Sequence, residues 1–282
     1  MTKTWLITGA SSGFGRGMAE RLLARGDQVI ATVRRQGSLD DLAAQYHDRL
    51  RVVYLDVTDT DGVQAAVNQA FADFKRIDVI VSNAGYGILG TVEETSIDQM
   101  RDIIETNLMG SMFLIKAALP HLRAQGFGRI VQVSSEGGQI AYPGFSLYHA
   151  SKWGIEGFIE SLAKEVQPFD IDFLIVEPGP SRTAFVGSIV LPDPIRDYDG
   201  TPAHDLKDAA FGGGWVIKGD PDRMVDAMIT AADAPVMPFR LLLGKDAYAG
   251  VHGALSERLA VLEAGRDVTE AADFTEEELA AM

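Results

Sequence analysis

Thr8-Gly9-Ala10-Ser11-Ser12-Gly13-Phe14-Gly15 stands between a short apolar run, Thr4–Thr8, and a helical pattern, Phe14–Arg25. Glycine lets a chain leave a strand by a sharp turn and approach a ligand closely, and the helix that follows offers its positive end to an anion. A glycine-rich turn alone joins many strands to helices without binding anything, so its surroundings decide its meaning. Here they alternate. β-rich runs at Gln28–Val33, Arg51–Leu55, Asp78–Ser82, Arg129–Ser134 and Asp172–Val176 are separated by helical patterns near Leu39–Tyr46, Asp59–Phe74, Ile97–Gln125 (whole or broken) and Ser146–Gln167. A seventh strand is expected near Phe239–Leu243, after a helix Pro221–Ala232 that Asp220 would cap. Such alternation gives βαβ units. The expected fold is therefore α/β: a doubly wound, mostly parallel, seven-stranded sheet with helices on both faces. In that setting the glycine turn points to a dinucleotide whose pyrophosphate sits at the helix N-terminus.

The rest of the composition narrows the partners. With 282 residues and 46% apolar side chains the chain can cover both faces of such a sheet. Residues 1–265 read as one domain and 266–282 as an acidic tail, with a short helix that Thr275 and Glu278 would cap reciprocally. Residues 186–219, rich in Gly, Pro and Asp, read as a loop that closes over a substrate. A net charge of −15 repels phosphate backbones and anionic lipid, which argues against nucleic-acid and membrane partners. Met1-Thr2-Lys3 leads straight into the first strand and leaves no room for a signal peptide, and cysteine is absent. A cytoplasmic protein without disulfides or thiol chemistry is expected. The five histidines are scattered, so no metal site is expected.

The choice of dinucleotide follows from charge. An NAD site usually places an acid about 20 residues past the glycine turn, to bond the ribose hydroxyls. This chain has Val33-Arg34-Arg35 there, and the next acids, Asp40 and Asp41, fall in the following helix. A guanidinium suits a 2′-phosphate that a carboxylate would repel, so NADP(H) is expected to be preferred, with NAD(H) the weaker alternative.

The spacing Thr-Gly-x-x-x-Gly-x-Gly resembles that of the short-chain dehydrogenase/reductase family, and the resemblance runs on to about the seventh strand. It implies that Gly9, Ser11, Ser12, Gly13, Phe14 and Gly15 cradle the phosphates. It also implies that Asp56-Val57 flank the adenine and that Asn83-Ala84-Gly85 shape the cofactor floor. Pro178-Gly179 and Thr183, in the family's Pro-Gly-x-x-x-Thr run, would lie over the nicotinamide.

Tyr148 and Lys152 lie four apart on one helical face, and Ser135 precedes the tyrosine by 13 residues. The family's catalytic serine keeps this spacing, so the resemblance assigns Ser135 and not Ser134. Free tyrosine titrates near ~10, and a neighbouring ammonium together with the cationic oxidised nicotinamide would lower that value. By resemblance Tyr148 exchanges the proton, Lys152 also holds the nicotinamide ribose, Ser135 steadies the substrate oxygen, and Asn107 kinks a helix and holds a water. His149 reads as structural. Tyr86, Glu136, Tyr142, Phe145, Pro180 and the apolar Phe185, Ile189, Val190, Leu191 and Trp215 would line a pocket for a small hydrophobic carbonyl or alcohol. The alternative is an NADP-binding redox sensor without turnover, whose mark would be damage to the catalytic set. The family mostly forms dimers or tetramers, so a homo-oligomer is implied, although the extra segment Asp246–Glu263 would obstruct one axis.

Overall fold

In a computed structural model, which describes residues 2–213 and 216–282, the first strand, β1 (Thr4–Ile7), is buried along its whole length. Trp5 and Ile7 join one apolar cluster and Leu6 joins the other. That is the two-residue period of a strand with apolar groups on both sides, which places β1 mid-sheet between two helical layers. The remaining strands are β2 (Gln28–Val33), β3 (Leu50–Tyr54), β4 (Val79–Ser82), β5 (Gly128–Val133), β6 (Ile171–Pro178) and β7 (Arg240–Leu243). They pair in the order β3-β2-β1-β4-β5-β6-β7, every neighbour parallel.

The helices, in chain order, are α1 (Gly13–Ala24), α2 (Asp40–Tyr46), α3 (Thr60–Phe74), α4 (Ile97–Ile104), α5 (Gly110–Gln125), α6 (Ser146–Val166), α7 (Pro202–Phe211), α8 (Pro221–Asp233), α9 (Lys245–Ala264), α10 (Arg266–Glu270) and α11 (Glu276–Ala281). Met18 and Leu22 of α1, Leu42 of α2 and Met224 and Met228 of α8 pack on one face. Val63 and Val67 of α3, Leu114 of α5 and Ile155 and Ile159 of α6 pack on the other. After β3 the chain crosses back over β1 to start β4. The winding reverses there, which leaves a crevice beyond the carboxyl ends of β1 and β4.

Of the two forms the sequence allowed for Ile97–Gln125, the broken one is found: a π-helical turn, Glu105–Met109, divides α4 from α5 and carries Asn107, the expected interruption. Residues 186–219 are not a plain loop, because they contain α7, opened by Pro202 in its first turn after Thr201. They are also tethered. Leu89 donates its N–H to Val190 O (3.0 Å) and Val190 donates to Gly87 O (2.9 Å). Glu94 Oε1 accepts from Ile195 N (2.8 Å) and lies 2.6 Å from His204 Nε2 on α7. Trp215, expected in the pocket wall, lies outside the described residues. The segment after β7 is a twenty-residue helix, α9, which buries Ala247 and Val251. In the tail, Thr275 Oγ1 accepts from Glu278 N (3.3 Å) while Thr275 N donates to Glu278 Oε2 (2.8 Å), the reciprocal cap expected there.

Candidate active site

The turn after β1 is shaped by what does not fit in it. A Cβ on Gly15 would stand 2.5 Å from Asn83 Nδ2 and 2.6 Å from Gly9 O, and one on Gly9 2.8 Å from Ala84 Cα. Gly9 and Gly13 also hold left-handed backbone, at φ 66° and 56°. Backbone therefore packs on backbone between the ends of β1 and β4. Asn83 Nδ2 stitches them by donating to Thr8 O (2.9 Å) and Gly9 O (3.1 Å), and Thr8 Oγ1 accepts from Asn83 N and Ala84 N. Ser12, at the start of α1, makes no side-chain cap bond, and the helix has no acid in its first turn. A positive helix end thus faces the crevice without a side-chain counter-charge, which fits a pyrophosphate.

A cavity of about 730 Å³ runs from this turn to the end of β5. Gly9, Ser11, Ser12, Gly13 and Phe14 form one end, with Arg34 and Arg35 after β2 and Asp56 and Val57 after β3 beside them. Gly15 lies beneath the turn and does not line the cavity. Asp41 is bound to Arg16, which also holds Glu20. The N–H of Thr58 holds the Asp56 carboxyl below its ordinary range, helped by the Thr58 hydroxyl and, more weakly, by Arg34. The exposed Arg34 and Arg35 have no carboxylate partner among the described residues.

At the other end Ser135, Tyr148 and Lys152 come together. Ser135 Oγ accepts from Gly137 N (3.0 Å), whereas Ser134 turns its hydroxyl to Glu156 Oε1. Lys152 Nζ donates to Val133 O (3.1 Å) and stands 5.6 Å from the centre of the Tyr148 ring. Burial pushes the lysine down to about 8, against the carboxylate of Glu156. Burial also pushes the Tyr148 phenol up to about 12, with Ser135 opposing it and Glu136 adding to it. The sequence expectation of a phenol lowered by its lysine and by an oxidised nicotinamide concerns the cofactor-bound site; in the protein alone, loss of water dominates.

Asn107 does not line the cavity. Its Oδ1 accepts from Tyr86 N (3.0 Å), and its Nδ2 donates to Tyr86 O (2.8 Å) and Ser151 Oγ (3.2 Å). The π turn aims this side chain at the loop after β4, so Asn107 fixes Tyr86 and Gly85 opposite the tyrosine. His149 staples the loop after β5 to α6: Nδ1 lies 2.8 Å from Gly137 O, and Nε2 accepts from Tyr142 N (2.8 Å). Pro178, Thr183, Phe185 and Ile189 close the cavity, with the Phe185 ring 5.9 Å from that of Tyr148. Gly179 faces the other way, toward α9.

One supporting group escaped the sequence reading. Glu156 binds Arg240 of β7 (2.7 Å), and the same guanidinium binds Glu160 and Glu177. Burial, reinforced by Glu156 and opposed by Arg240, raises the Glu177 carboxyl to about 7. The cluster holds Ser134, α6 and β7 together directly behind Ser135. Its one sequence signal was Glu156, four residues past Lys152 on the same helical face.

The chain matches the family described as short chain dehydrogenase over residues 3–192. It is 40% identical over 254 residues to the oxidoreductase BOA17 of Botryotinia fuckeliana, covering 89% of this chain and 92% of that one. A short-chain dehydrogenase from Streptomyces avermitilis, 40% identical, superposes with a TM-score of 0.89 over 96% of this chain and 98% of its own. A short-chain dehydrogenase from Burkholderia cenocepacia in complex with NADP is 25% identical, with a TM-score of 0.73 over 93% of this chain and 96% of its own. The chain belongs to the short-chain dehydrogenase family and is an oxidoreductase.

Proposed function

We propose that the protein is an NADP(H)-dependent oxidoreductase acting on a small hydrophobic ketone, aldehyde or secondary alcohol. The observation that carries this is one cavity with two matched ends. A glycine cradle and Arg34 suit a phosphorylated dinucleotide at one end, and Ser135, Tyr148 and Lys152 meet at the other. The NADP complex of the Burkholderia relative supports the same choice.

When bound, the nicotinamide supplies or takes the hydride. Tyr148 gives a proton to the carbonyl oxygen in reduction and removes one from the alcohol in oxidation. Ser135 already accepts from Gly137 N, which leaves its own O–H to donate to the substrate oxygen. Lys152 would hold positive charge beside the phenol and bind the nicotinamide ribose. Thr183 and Pro178 would cover the nicotinamide, and the segment that follows would exclude water as it closes. The walls near the tyrosine are apolar, with Phe145, Phe185, Ile189 and Phe211 among them, which favours a hydrophobic substrate. Assembly as a homo-oligomer would use the outer faces of α5 and α6. The second is partly covered by α9, whose Arg258 stacks 4.9 Å from the Trp153 ring.

The test is loss of NADPH absorbance with a panel of aromatic and alicyclic ketones, alongside fluorescence titration with NADPH and NADH. Turnover of at least one hydrophobic ketone, with NADPH bound the more tightly, is expected. NADPH binding without turnover of any ketone or alcohol would favour the redox sensor.

A further inference from the structure

A second chamber of about 440 Å³ lies behind the catalytic serine, between the end of β7, the first turn of α9 and residues 216–220. Five residues wall both chambers: Glu136, Tyr142, Phe145, Pro180 and Ile217. Three of these are apolar, and Glu136 and Tyr142 bring polar atoms to the neck.

Glu136 is not one of the groups that would exchange a proton with the substrate, although it adds to the rise of the Tyr148 phenol, and it is buried to 5% exposure. Glu156 and Glu177, buried as deeply, each pair with Arg240. Among the described residues Glu136 has no cation, and its one side-chain hydrogen bond comes from Tyr142 Oη at 3.4 Å. Gly179 makes room for it, since a Cβ there would stand 3.4 Å from Glu136 Oε2. Burial, opposed by the Tyr142 hydrogen bond and helped by Asp246, raises the carboxyl to about 7. It can therefore donate or accept near neutral pH. A buried carboxyl is costly unless its hydrogen-bonding capacity is met, so this one calls for a partner that enters through the cavity.

The rear chamber indicates what that partner carries. Its inner walls include Leu206, Met224 and Leu243. At its rim Lys218 is neutralised by Asp246 (2.9 Å) and Arg223 by Asp220 (3.3 Å), which disfavours a charged tail. We propose that Glu136, backed by Tyr142, is a specificity-determining residue that binds the hydroxyl group of an elongated, uncharged hydroxy-ketone or the matching diol. The reacting carbon lies in the front chamber and the apolar body passes through the neck. This rests on the oxidoreductase reading above.

The experiment compares ω-hydroxy methyl ketones with their deoxy partners, decan-2-one and its shorter homologues included. Each is reduced with NADPH by the unmutated protein, Glu136→Gln and Glu136→Leu. At some chain length the hydroxy-ketone should exceed its deoxy partner in kcat/KM by about tenfold or more, carried by KM, as expected for one charge-assisted hydrogen bond. Glu136→Leu should bring the ratio to one, and Glu136→Gln, whose amide oxygen still accepts, should keep part of it. A ratio near one at every length in the unmutated protein, or one that survives in Glu136→Leu, overturns the proposal while leaving the oxidoreductase reading intact. Should no ketone be reduced, calorimetric titration with 1,10-decanediol and 1-decanol decides. Tighter diol binding that is lost in Glu136→Leu upholds the site and removes only the ketone-substrate reading; equal binding overturns the site.

Discussion

The two ends of the cavity are built from different materials. At the cofactor end the walls are backbone, with Gly9, Gly15 and the Asn83 loop in contact so close that a single methyl group would not fit. At the substrate end they are side chains on a segment held by a few tethers: the Val190 bridge, Glu94 to Ile195 and Glu94 to His204. Backbone contact is fixed by sterics and changes little. Tethers are separate, breakable bonds, so the second region is expected to open at a lower cost than the first.

The sharpest way to break this contrast is at the rigid end. Gly15→Val should abolish measurable NADPH binding and lower stability by about 1–3 kcal/mol, because its side chain meets Asn83 and Gly9 O. Fluorescence titration and urea unfolding check both parts, and unchanged affinity would mean the cradle is not set by backbone contact. A smaller effect is expected at the rim. Arg34→Ala should weaken NADPH binding about ten- to a hundredfold, the worth of a charge-assisted hydrogen bond, and leave NADH alone. Equal loss for both cofactors would remove the 2′-phosphate assignment.

At the tethered end the effect should be smaller still and confined to the lid. Glu94→Gln should speed amide exchange across residues 190–211 and raise the KM for ketone several-fold, with NADPH affinity unchanged. Exchange spreading into β1 or β4 would show that the two regions are not separable. Acid should act on the same tether. Burial alone would raise the Glu94 carboxyl, but hydrogen bonds from Ile195, Thr91 and His204 outweigh it and hold it at about 2, below its ordinary 4.5. Its stabilising contribution is complete above pH 4.5 and is lost as pH falls through about 2. In Glu94→Gln this part of the acid sensitivity of lid exchange should disappear.

The same contrast explains what the sequence revealed. The strands, the glycine turn and α8 were legible because local rules make them: period-two burial, glycine where a Cβ cannot fit, an acid capping α8. Asn107 was legible as a helix interruption, but not as the holder of Tyr86, since that bond spans 21 residues and depends on a π turn. α7 was missed although Thr201-Pro202 is a start signal, because the glycines and prolines around it masked a ten-residue helix. The Arg240–Glu156–Glu177 cluster joins residues 84 and 63 apart in sequence, which only the β6–β7 pairing and the packing of α6 on the sheet bring together. The rise of the Tyr148 phenol is of this second kind, because burial, a property of the whole fold, sets it.

That phenol is where the functional reading is most exposed. In a stopped-flow single turnover, NADPH already bound to the protein is mixed with a ketone that the unmutated protein reduces, and the rate is compared with that of Tyr148→Phe. The substitution removes one oxygen, so NADPH fluorescence before mixing should be unchanged while hydride transfer slows about 10²–10⁴-fold. Transfer in Tyr148→Phe within a few-fold of the unmutated rate would contradict the assignment of Tyr148 as the proton donor.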